Sequence, residues 1–107
     1  MKNIEKKLNL LCDLAEVYQA RKEDVCHARE FIHYNEFELS FDTLITQMYE
    51  YEIKIDTKTY SLIESIGIQL KLSREKYFFM NEQIVENNSI AIPKDINECL
   101  MKFISQS

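Results

Sequence analysis

Apolar residues recur every three or four positions through most of this chain, a period that predicts helices. Ile4, Leu8, Leu11, Ala15 and Tyr18 fall on one face of a first helix over residues 3–20, and Leu10, Leu14 and Val17 widen that face. Asp24 is the expected N-cap of a shorter second helix. Val25, Ala28, Phe31 and Ile32 give it one apolar side, and Asn35 is a suitable stop. Phe37, Phe41, Leu44, Met48 and Tyr51 form the stripe of a third helix over residues 37–51. At about 100° per residue, Glu38, Asp42 and Tyr49 share the neighbouring stripe, along the edge of the face that must be buried. The pattern then changes. Ile53 and Ile55 alternate with Lys54, as in an extended connector whose isoleucines turn inward, with Tyr51 packed beside them.

Asp56 or Thr57 caps a fourth expected helix over residues 57–71, with Tyr60, Ile63, Gly67 and Leu70 on its apolar face and Leu62 and Ile66 beside them. A glycine there costs about 1 kcal/mol of helix propensity relative to alanine. Its place on the apolar face predicts that another helix passes close by. Ser73 is the expected cap of a fifth helix carrying Tyr77, Phe78, Met80, Ile84 and Val85. Asn87, Asn88 and Ser89 read as a polar turn, Ile90 to Pro93 as an extended link, with pairing of residues 87–92 as a short strand the alternative, and residues 94–105 as a last amphipathic helix built on Ile96, Cys99, Leu100 and Phe103. The reading is an all-α fold, a compact bundle of five to six short helices forming one domain over residues 1–107.

Composition agrees. A single glycine and a single proline in 107 residues leave little material for a turn-rich β fold. No run approaches the ~18 apolar residues of a membrane span. Glu5, Asn9 and Asp13 interrupt the leucines near the start, so no secretory signal is expected there, and the localisation read from this is cytoplasmic. The net charge is −5, and all of it resides between Glu36 and Glu64. That segment holds Glu36, Glu38, Asp42, Glu50, Glu52, Asp56 and Glu64 against Lys54 and Lys58, while acids and bases balance elsewhere. Tyr49, Tyr51 and Tyr60 lie in the same stretch. An acidic face bearing tyrosines suits a basic protein cleft, since charge steers encounter and rings anchor the complex. It repels the phosphates of nucleic acid, so no direct nucleic-acid contact is expected.

The residues offer little catalytic chemistry. The lone glycine excludes a glycine-rich phosphate loop, and neither a GxSxG elbow nor an HExxH is present. His27 and His33 are six apart on a short helix and point to different faces. Cys26 and His33 are spaced to share a face, yet no CxxC or HxxxH pair accompanies them, so no metal site is expected. Cys12, Cys26 and Cys99 read as reduced, buried thiols of a cytosolic protein. The aromatics Phe31, Phe37, Phe41, Phe78 and Phe79 read as core, and Tyr49 as the ring that stands off it among acids. The expectation is a non-enzyme without cofactors.

The run His33-Tyr34-Asn35-Glu36-Phe37-Glu38-Leu39, followed by Leu44-Ile45 and Met48-Tyr49-Glu50-Tyr51-Glu52-Ile53-Lys54-Ile55, resembles the core of MafI-type bacterial immunity proteins. Those proteins have a His-x-x-Glu, an aliphatic helix, an aromatic-Glu-Tyr turn with two aliphatics, and a helix with spaced Tyr and Gly. Here that continuation is Tyr60, Ile63 and Gly67-Ile68-Gln69-Leu70. The likeness spans residues 24–79, and residues 87–107 stand outside it as a C-terminal addition. Phe37-Glu38 departs from the small residues that follow His-x-x-Glu in the family pattern. The resemblance implies an antitoxin that neutralises a secreted or contact-delivered nuclease toxin, with EndoU-like RNases among the targets.

Combining charge and resemblance, the expected toxin-binding patch is Glu38, Asp42, Tyr49, Glu50 and Glu52, with Glu36 and Asp56 at its rim. The partner is a toxin's C-terminal nuclease domain, whose basic substrate cleft the chain blocks. The alternative is a small acidic helical adaptor that binds another protein.

Overall fold

The computed structural model describes residues 2–86 and 91–105. Among these residues five α-helices carry the fold: α1 (Lys2–Val17), α2 (Lys22–His33), α3 (Phe37–Glu50), α4 (Thr57–Gln69) and α5 (Lys94–Ser105). Two short 3₁₀ segments, Arg74–Lys76 and Phe78–Gln83, lie between α4 and α5. The all-α architecture is therefore as the periodicity predicts. Among the described residues no helix is long and apolar enough to cross a membrane.

Helix α1 is the hub and touches each of the other four helices. Its sequence explains this. Ile4, Leu8, Leu10, Leu11, Cys12, Leu14, Ala15 and Tyr18 are all buried, so apolar positions cover most of its circumference. Helix α2 is fixed to it by Arg29, whose Nη2 donates to Asp13 Oδ1 at 2.7 Å and also to Glu16. Helix α3 packs against α2, tied by Ser40 Oγ donating to the Ala28 carbonyl at 2.8 Å. Helix α5 packs on α4 and α1, and its Leu100 and Phe103 are buried in the core.

The four helices α1 to α4 stop in the same way. Gln19, Asn35, Glu52 and Lys71 each take a left-handed conformation just past a helix end, with φ of 66°, 61°, 52° and 61°. At each end two bonds close the helix, as where Glu36 N–H donates to the Phe31 carbonyl at 2.8 Å and Asn35 N–H to that of Ile32 at 2.9 Å. This is the Schellman arrangement, normally built on glycine because other L-residues cost about 1–2 kcal/mol there. The chain builds it without glycine at all four ends, and its one glycine serves elsewhere.

That glycine, Gly67, lies buried on α4 against the ring of Tyr77. A Cβ at this position would sit 2.4 Å from Tyr77 Cδ2. The expected close approach is thus present, but a tyrosine makes it and not a second helix. Several other expectations are corrected. The α2 N-cap is Arg21, with Asp24 buried in the first turn, 3.8 Å from Arg21 Nε. Residues 73–85 form no α-helix. Tyr77, at φ −140°, breaks the segment, and Val85 N–H donates instead to the Ile55 carbonyl at 2.9 Å while Ile55 N–H donates to that of Gln83 at 3.0 Å. The connector after α3 thereby gains an isolated parallel bridge, Ile55 to Ile84. Phe78 lies outside the core, exposed beneath the Arg74 guanidinium at 3.9 Å. Tyr51 likewise turns out to solvent at the C-cap of α3, under Arg21, while Ile55 is fully buried as expected. Residues 87–90 of the expected turn and link lie outside the described residues.

Cys12 is buried, whereas Cys26 and Cys99 are exposed, and all three are free. Burial pushes the Cys12 thiol from its ordinary 9.0 up to about 11, against a smaller opposing pull from Arg29. The native thiol therefore holds its proton where the unfolded chain has lost it. This contribution to stability is complete below pH ~9 and is lost as pH rises toward 11. Urea unfolding across that window is expected to show a decline on the order of 2 kcal/mol that Cys12→Ala removes.

Candidate functional site: an acid-rimmed groove on α3

The first half of α3 forms one wall of a groove of about 610 Å³. Phe37 and Phe41 lie along that wall, with Glu36, Glu38 and Asp42 on its rim and exposed Leu39 at its mouth. The opposite wall comes from the end of α4 and the link after it: Leu70, Leu72 and Lys76. Local structure sets both walls. The Schellman turn at Asn35 starts α3 with Glu36 at its N-cap, and the one at Lys71 reverses the chain at Leu72, whose N–H donates to the Gly67 carbonyl at 3.0 Å. Seating of the Tyr77 ring on Gly67 then fixes the link that carries Lys76. The groove's lining is mainly apolar and carries three carboxylates against one lysine. Among the described residues no hydrogen bond or ion pair engages the side chains of Glu38 or Asp42, so both charges are available to a partner.

The rest of the predicted patch lies apart from this groove. Eight residues separate Asp42 from Glu50, about 12 Å along the helix at 1.5 Å per residue. There Tyr49, Glu50 and Glu52 line a smaller depression with Lys54, Glu82 and Gln83. Tyr49 is not a free anchor. Its ring packs edge-on against Phe79 at 5.1 Å between centroids, and its hydroxyl donates to Glu82 Oε1 at 3.1 Å. That carboxylate raises the phenol's pKa above its ordinary value. Truncating Tyr49 would thus unpin the 3₁₀ segment, and Tyr49→Phe is the milder probe. Asp56 is spoken for as well: its Oδ1 accepts from Thr59 N–H at 2.8 Å and caps α4. The same cap is tied to α1, since Asp56 N–H donates to the Tyr18 hydroxyl at 3.2 Å, which is 2.8 Å from Thr59 Oγ1.

Glu52 is in a costly place. It sits in the left-handed region at the carbonyl end of α3, where a negative charge opposes the helix dipole and where the last turn has no basic residue. Glu52→Gly is expected to raise stability by about 1 kcal/mol, the relief of strain exceeding glycine's entropic cost. Chemical denaturation checks this, and a loss of stability would mean the carboxylate has a native partner.

The far wall lies outside the patch that the sequence predicts. Periodicity assigns Leu70 to the apolar face of α4 and gives no role to Leu72 or Lys76, although leucines on both sides of Lys71 at a helix end mark a chain reversal that presents apolar side chains. Among the described residues no group of three His, Cys, Asp or Glu side chains is placed to hold a metal ion. No family model matches this chain, and neither a curated protein nor a solved structure matches it.

Proposed function

We propose that this chain is an immunity protein that binds a cognate nuclease toxin in the cytosol and covers its basic substrate cleft. The observation that carries the reading is the gathering of Glu36, Glu38 and Asp42 around an apolar groove, within the segment that holds the chain's whole net charge. A nuclease must grip phosphates with lysine and arginine, so its cleft presents the complementary charge. The carboxylates speed encounter, and apolar contact in the groove sets the lifetime of the complex. The resemblance of residues 24–79 to MafI-type proteins supports the same partner class. Inhibition is steric and stoichiometric: a standard interface takes roughly 800 Å² from each partner, a modest part of the 6504 Å² this chain exposes.

Co-expression with the product of the adjacent gene tests the reading. The expected result is a 1:1 complex on co-purification and protection of growth. A complex with some other basic protein, without protection, would transfer the chain to the adaptor class.

A further inference from the structure

We propose that the groove on α3 receives a basic-apolar-basic segment of the partner, one large apolar side chain flanked by lysine or arginine. This rests on the reading of the chain as a binder of a basic protein, and it names which part of the surface does the anchoring and what chemistry it selects. Three features on one site carry it. The lining is mainly apolar, with Phe37 and Leu39 from α3 and Leu70 and Leu72 from the end of α4 and the link after it. Its volume, about 610 Å³, falls within the ~300–1,000 Å³ of pockets that bury a whole drug-sized group. Its rim is charged unequally: Glu36, Glu38 and Asp42 lie on the α3 side and Lys76 opposite. A segment that fills the groove therefore gains by placing cations toward α3 and loses by placing one against Lys76. The depression at Tyr49, Glu50 and Glu52 lacks the apolar interior, is lined by Lys54, and has its tyrosine held by Glu82. It attracts basic residues without offering an anchor point.

Selection of a random peptide display library on the purified full-length chain tests this directly. Peptides enriched on the wild type are expected to carry an aromatic or large aliphatic residue flanked by Lys or Arg. Their binding is expected to fall about tenfold or more when Glu38 and Asp42 are both changed to Lys, and similarly for Leu39→Arg, which blocks the mouth. Both changes are at exposed positions, and circular dichroism confirms the fold of each variant. Amide shift changes on adding the best peptide are expected within residues 35–42 and 70–76. No enrichment, enrichment of acidic peptides, or unchanged binding to both variants overturns the groove assignment. Binding lost only on Glu50→Lys with Glu52→Lys also overturns it, while leaving the basic-partner reading standing. Enriched peptides with the expected pattern, from a chain that fails to neutralise any toxin, support the groove and refute the immunity reading.

Discussion

Replacing Gly67 by alanine is expected to destabilise the fold by about 2 kcal/mol, although alanine gains about 1 kcal/mol over glycine in a helix interior. The added methyl would meet Tyr77 Cδ2, Cε2 and Cγ at 2.4, 2.6 and 2.9 Å, which is the body of the ring and not a flexible tip. Tyr77 is itself buried, with core on its other side, so it has nowhere to retreat without opening the segment after α4. A double-mutant cycle separates steric conflict from helix propensity. In a Tyr77→Ala background the same Gly67→Ala change is expected to become neutral or stabilising by up to about 1 kcal/mol. If Gly67→Ala stabilises the otherwise unaltered chain under urea, the ring does not sit on the helix as described.

Changing both Glu38 and Asp42 to lysine is expected to slow association with a basic partner by about tenfold to a hundredfold at low ionic strength. The two reversals move the net charge from −5 to −1, and both act at the rim where the partner must enter. Stability should fall by no more than about 1 kcal/mol, since both side chains are exposed and Glu38 alone lies in the first turn of α3, where a carboxylate favours the helix dipole. The dependence of the association rate on salt should weaken in parallel, because screening acts on the same steering charges. The corresponding change at Glu50 and Glu52 should have a smaller effect, since those acids share their surface with Lys54. Stopped-flow kinetics at two salt concentrations read all of these, and equal rates for the wild type and the Glu38/Asp42 variant would remove the groove rim from the interface.

The helices were legible where buried positions recur at helical spacing over a dozen residues or more. The stripes of α1, α3 and α4 and the Asp56 cap follow from spacing and from residue chemistry at the ends. Residues 73–85 were misread for a physical reason. Tyr77, Met80 and Ile84 recur at helical spacing, but each answers to a different long-range partner. Tyr77 seats on Gly67, Met80 enters the core, and Ile84 pairs with Ile55. Those contacts outweigh local propensity and hold the segment in 3₁₀ turns. The candidate site was half legible for the same reason. A helix wheel puts Glu38, Asp42 and Tyr49 on one stripe, but only the path of the chain decides what stands opposite each. Leu70, Leu72 and Lys76 face the first two and make a groove. Phe79 and Glu82 face the third and hold it. Asp56 shows the limit of counting charges, because a carboxylate used as a cap is not offered to a partner.

The central claim is that this chain disarms a basic nuclease through the acid-rimmed groove of α3. Titrating purified chain into the purified product of the adjacent gene, with RNA cleavage as the readout, tests that claim most directly. The account predicts that activity falls linearly to zero at one equivalent of wild-type chain, and that the variant with lysine at positions 38 and 42 leaves most of the activity at the same ratio. Undiminished cleavage at excess wild-type chain, or equal inhibition by the wild type and that variant, would contradict it.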